Sequence, residues 1–64
     1  MNLRVERVKL NITQRELSNL TNIGVNTIVK IEKGNLDSIK IGTLKKISDV
    51  FGISLTDLFF SEDN

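Results

Sequence analysis

Four side chains in the segment TQRELSNLTNIGVNTIVKIEK, residues 13–33, are the best placed to recognise something: Val25, Asn26, Val29 and Lys30. Asparagine presents a donor and an acceptor side by side, lysine carries a mobile cation, and the valines offer small apolar surfaces. Lys33 extends the same face, and no acid lies on it. Such a set suits reading an anionic polymer with hydrogen-bonding edges better than making or breaking bonds. The usual bond-making residues are missing, since the chain has no histidine, cysteine, tyrosine or tryptophan and no Gly-rich phosphate loop. An enzyme is therefore not expected, nor a metal site, nor a cofactor.

Two short helices joined by a tight turn are needed to position those residues. Thr13 can cap the first of them, with Glu16 three residues later to complete a capping box. Leu17, Leu20 and Ile23 supply its inward face. Gly24 can open the second helix, where Ile28 and Ile31 point inward at i, i+3 spacing and leave Val25, Asn26, Val29, Lys30 and Lys33 outside. This is a helix–turn–helix over residues 14–33, an arrangement that sets its second helix in the major groove of DNA.

The remaining elements form the frame. A first helix is predicted from Asn2 to Leu10, with Leu3 and Val8 apolar and Asn11 at a left-handed end. A loop from Asn35 to Lys40 precedes a fourth helix, Ile41 to Phe51, which carries Ile41, Leu44, Ile47, Val50 and Phe51 and ends at Gly52. Ser54 then caps a last helix, with Asp57 three residues on and Leu55, Leu58 and Phe59 inward. Branched residues in IGVNTIVKI and DSIKIGTLKKI compete for a β reading, but they do not alternate. The expected fold is all-α, a compact five-helix bundle.

At 64 residues there is room for one domain, residues 1–64, whose core is small relative to its surface. Net charge is only +1, yet it is unevenly spread. Residues 1–48 carry all nine Lys and Arg against four acids, a balance of +5, whereas residues 49–64 carry four acids and no base. The first part suits a polyanion, and the acidic tail at 61–64 would be repelled by one. Without cysteine, and with no apolar run fit for a signal peptide or membrane span, a cytoplasmic protein with no membrane partner is expected.

Taken together, LRVERVKLNITQREL, NIGVNTIVKIEKG and LKKISDVFGISLTDLF resemble the Cro/C1-type helix–turn–helix family, from about Leu3 to Phe60. That family includes the DNA-binding domains of lambdoid phage repressors and many small bacterial regulators. The resemblance implies a lambda-repressor-like fold. It also implies a structural ion pair between Arg7 of the first helix and Glu32 at the end of the recognition helix. Ser18 stands where the family wants a small residue between helices two and three, and Asn22 stands where glycine is usual in the turn. The chain departs from the family in NLDSIK, which lacks the proline common before helix four, and in Gly42, which weakens that helix.

The expected function is a sequence-specific regulator of transcription on double-stranded DNA, a repressor acting as a homodimer. Asn26 can bond the N6/N7 edge of adenine, Lys30 can donate to guanine, and Val25 and Val29 can pack on thymine methyls. The resemblance gives Gln14 a phosphate to bond or the recognition helix to brace. Thr13, Thr27, Lys33, Asn35, Ser38, Lys40 and Thr43 border the same surface as phosphate contacts, while Lys45 and Lys46 read as ordinary solvated charges. A dimer surface is expected on the last helix, at Leu58, Phe59 and Phe60, because two adjacent phenylalanines cannot both face inward. The alternatives keep the fold: a DNA-binding antitoxin with a toxin as protein partner, or a restriction–modification controller. A neighbouring gene for a toxin or a methyltransferase would separate them.

Overall fold

The computed structural model describes residues 2–60 and contains four α-helices followed by a short π-helical segment: α1 (Leu3–Lys9), α2 (Gln14–Thr21), α3 (Val25–Glu32), α4 (Ile41–Phe51) and the closing π segment (Thr56–Phe60). The acidic tail expected at 61–64 lies outside the described residues. Among the described residues there is no strand, so the branched runs serve as helix, as their spacing predicts.

Local chemistry sets the boundaries. Asn2 caps α1 by accepting from the Val5 amide at 2.9 Å, and the chain leaves that helix through Asn11 at φ 59°. Thr13 and Glu16 form the reciprocal capping box of α2, at 3.0 and 2.8 Å. Asn22, at φ 58°, ends α2 in the left-handed region, which asparagine tolerates better than other non-glycine residues. Ser18 closes the same turn from both ends. Its carbonyl accepts from the Asn22 and Ile23 amides, and its hydroxyl donates to the Ile23 carbonyl. Gly52 ends α4 at φ 65°, and Ser54 caps the last segment by accepting from the Asp57 amide.

Every element contributes to one core of Leu3, Leu17, Ile23, Ile28, Ile31, Leu44, Ile47 and Leu58. Two positions differ from the sequence reading. Leu20, expected inward, is 62% exposed, and the buried partner of Leu17 one turn on is Thr21. A buried hydroxyl is tolerable here because it donates to the Leu17 carbonyl at 2.8 Å. Leu58, expected both inward and on a dimer surface, is 2% exposed and belongs to the core, which keeps the first reading and removes the second. Of its neighbours, Phe59 packs half-buried against that core and Phe60 is left outside.

The loop before α4 holds itself down without proline. Leu36 and Ile39 pack on the core, and the Ile39 amide bonds the Leu36 carbonyl at 3.0 Å. Asn35, Asp37, Ser38 and Lys40 are thereby turned to solvent.

The orientation of α3 is fixed at its end by the Glu32 carboxylate. Arg7 Nε donates to one of its oxygens at 2.7 Å. Arg7 Nη2, at 3.4 Å, and Gln14 Nε2, at 3.0 Å, share the other. The remaining arm of the guanidinium, Nη1, donates to the Ile12 carbonyl at 2.7 Å. The two charged side chains are only 12% and 7% exposed, so each depends on the other for the solvation it has lost. The pair expected from the family resemblance is present, and Gln14 joins it as a brace.

Two stability predictions follow from this geometry. Truncating Arg7 or Glu32 to alanine should cost roughly 3–5 kcal/mol in urea unfolding, because one buried charge is left uncompensated. Lys9, whose side chain is 66% exposed where it pairs with the half-buried Glu6, is the control, and losing it should cost less than about 1 kcal/mol. Equal effects at the two pairs would refute the buried clamp. Gly42 lies in the first turn of α4 with an ordinary backbone, and a Cβ there would meet nothing within 4 Å. Gly42→Ala should therefore raise stability by about 0.4–1 kcal/mol, whereas the same change at Gly52 should lower it.

Candidate nucleic-acid interface

Two of the eight residues of α3 anchor it. Ile28 is fully buried and Ile31 is 5% exposed, and together they place Val25, Asn26, Val29 and Lys30 on the side away from the core. Asn26 and Lys30, one turn apart, are exposed, as is Lys33 just beyond the helix. Val25, Thr27 and Val29 are half-buried, so the two valines offer edges to a partner rather than whole side chains. Glu32, the only acid of α3, is held by Arg7 and Gln14. The outer face consequently carries two lysines and an asparagine with no carboxylate among them.

The starts of α3 and α4 differ from those of the other helices. Side-chain oxygens cap α1, α2 and the closing π segment. In contrast, α3 begins at Gly24 and α4 begins at Lys40, and neither has a side-chain cap. The first amides of both helices are left for water or a ligand, at the end where the helix dipole favours negative charge. Sequence reasoning missed this contrast, although Gly24 and Lys40 signal it: neither side chain can accept a hydrogen bond.

The expected phosphate contacts divide by what the structure does with each. Asn35, Ser38 and Lys40 are exposed on the loop and at the start of α4, and Thr43 and Thr27 are half-buried on their helices. Thr13 is exposed, but its oxygen already accepts from the Glu16 amide, which leaves the hydroxyl proton to offer. Gln14 has committed one amide proton to Glu32. Arg15, which the sequence reading passed over, is exposed beside Gln14 in the first turn of α2. It makes no salt bridge among the described residues. Asp37 is the one acid exposed in the loop.

No helix of the described residues is long and apolar enough to cross a membrane.

Comparison with known proteins agrees with this geometry. A helix–turn–helix family model (HTH_3) matches residues 3–58, which takes in all four α-helices and the start of the π segment. An uncharacterized HTH-type transcriptional regulator of Methanocaldococcus jannaschii is 36% identical over 63 residues, covering 97% of this chain and 92% of that protein. Glutamine–fructose-6-phosphate aminotransferase [isomerizing] of the same organism is 34% identical over 61 residues, but the chain spans only 6% of its length. No solved structure matches. The anchored recognition helix, the left-handed turn before it and the clamp at its end are thus those of a member of the Cro/C1-type helix–turn–helix family, to which this chain belongs.

Proposed function

We propose that this DNA-binding regulator represses transcription as a homodimer, with α3 inserted in the major groove of each half-site. The observation that carries the reading is the composition of the outer face of α3, where Asn26, Lys30 and Lys33 stand exposed without an acid. Asn26 and Lys30 read base edges, and Val25 and Val29 contact thymine methyls at their rims. Lys33, Asn35, Ser38, Lys40, Thr43, Thr13 and Thr27 contact the phosphates, which position the protein without reading sequence. The uncapped starts of α3 and α4 support this assignment, because amides with no internal partner are suited to phosphate oxygens.

Size permits the dimer. The domain measures 28 × 26 × 19 Å. Across a two-fold axis, equivalent helices on the outer sides of two such domains can lie farther apart than one domain is wide, a range that includes the roughly 34–36 Å between successive major grooves on one face of DNA. Occupying a promoter in this way is sufficient to repress it.

The test is selection of bound duplexes from a random pool, followed by titrations of the selected site at several salt concentrations. Lys30→Ala should relax preference at one or two base pairs and cost about 1–3 kcal/mol at the selected site. Lys40→Ala should weaken all sequences alike and reduce the salt slope by roughly one unit. Asp37→Asn, by removing the loop's acid, should tighten binding to every sequence, most visibly at low salt. A Lys30→Ala protein that ranks all sites as the parent does would sink the placement of α3.

A further inference from the structure

The fold leaves apolar side chains outside at several places, Leu10, Leu20, Ile41 and Val50 among them, and two of these places differ in charge. On α1, Val5 is 44% and Val8 is 58% exposed, and their i, i+3 spacing puts them on one solvent face. Arg4 and Lys9 border that face and are exposed. Lys9 reaches Glu6 at 3.3 Å, and Arg4 makes no salt bridge among the described residues. At the other end of the chain Phe60 is 51% exposed, and Asp57, three residues before it, is exposed too, as is Asp49 on α4. Nothing basic occurs from residue 49 onward.

Phe60 alone cannot hold two copies together. Complete burial of an aromatic side chain removes about 150–250 Å², and a specific interface needs on the order of 800 Å² from each partner. Phe60 therefore requires an apolar seat, and the exposed Asp57 three residues before it favours a basic one. The outer face of α1 meets both requirements, whereas Leu20 has no base within four residues and Ile41 adjoins Lys40, which is assigned above to DNA.

We propose that the face of α1 formed by Arg4, Val5, Val8 and Lys9 receives the Phe60 end of a second copy of this chain, with Arg4 set against the Asp57 carboxylate of that copy. A two-fold axis makes the contact twice, which doubles the buried area and closes the assembly as a dimer rather than a filament. This inference rests on the homodimer reading above and names the surface that Phe60 docks on.

Sedimentation equilibrium of the full chain at low salt tests it, with circular dichroism to confirm helicity. Val8→Glu, Arg4→Glu and Phe60→Ser should each weaken the dimer by roughly tenfold or more, since a like charge or a lost anchor faces the partner. Asp57→Lys should do the same, and the double variant Arg4→Glu with Asp57→Lys should recover most of the parent's association. Arg4, Val8 and Asp57 are exposed, so the monomer fold does not depend on them. If Phe60→Ser dissociates the dimer while Val8→Glu and Arg4→Glu leave it intact, Phe60 has another seat; this inference then fails and the homodimer stands. Failure of the double variant to recover association likewise overturns the Arg4–Asp57 contact. A parent that is monomeric at every concentration overturns the homodimer reading itself.

Discussion

The Glu32 carboxylate is the point on which the arrangement of helices depends. It sits at the C-terminal end of α3, where the helix dipole disfavours negative charge, and it is almost fully removed from water. Such a group is tolerable only if other parts of the chain bring donors to it. Arg7 brings two from α1, and Gln14 brings one from the first turn of α2. The third arm of the guanidinium ties down the Ile12 carbonyl in the connection between those helices. Three helices and a turn are thereby referred to a single atom group. Lysine could not replace Arg7, because the geometry uses the planar fork to reach the carboxylate and a carbonyl together.

That clamp explains why the recognition helix can be so polar outside and so short. α3 is eight residues long and anchored by two isoleucines, which is too little to fix its roll by packing alone. Ile28 and Ile31 set which side faces in, Glu32 holds the far end, and Ser18 and Asn22 hold the near end through the turn. With both ends fixed from within, the exposed Asn26 and Lys30 are not needed to hold the helix. Gly24 in place of a capping side chain is then affordable, and the first amides of the helix are kept open. Local stability is given up at the surface proposed to meet DNA, as expected of functional sites in otherwise consistent sequences.

What could be read in the sequence was what depends on neighbours in the chain. The Thr13–Glu16 box, the left-handed Asn11 and Asn22, the Gly52 stop and the Ser54 cap all involve residues within a few positions of one another, and each is present. The span of α4 was legible for the same reason. The Arg7–Glu32 pair bridges 25 positions, and no local rule links them; the family resemblance did. Burial in α2 was misread at Leu20 because side-chain hydrophobicity was weighed without position. Thr21 lies one turn from Leu17 and can satisfy its own hydroxyl, so the core stripe passes through the threonine. The anchoring of the loop by Leu36 and Ile39 is not legible locally, because two apolar residues three apart in a polar loop specify no core partner by themselves. The π geometry of Thr56–Phe60 has no signature in those five residues that distinguishes it from an ordinary turn of helix.

α1 has a role larger than its seven residues suggest. Its inner side sends Leu3 into the core and Arg7 to the clamp, while its outer side presents Val5 and Val8. A second copy seated on that outer side bears on the same short helix that fixes the end of α3. A helix of two turns that is held through a buried, bidentate ion pair has little freedom to absorb a displacement between its faces. In the proposed dimer the separation of the two recognition helices is set through two steps, from the seat to α1 and from α1 through Arg7 to Glu32. On that proposal dimer spacing and groove fit are linked by this path, and a substitution that loosens Arg7 acts on operator spacing as well as on folding. The outer valines and the inner arginine of the proposed assembly then constrain the same quantity from opposite sides of one helix.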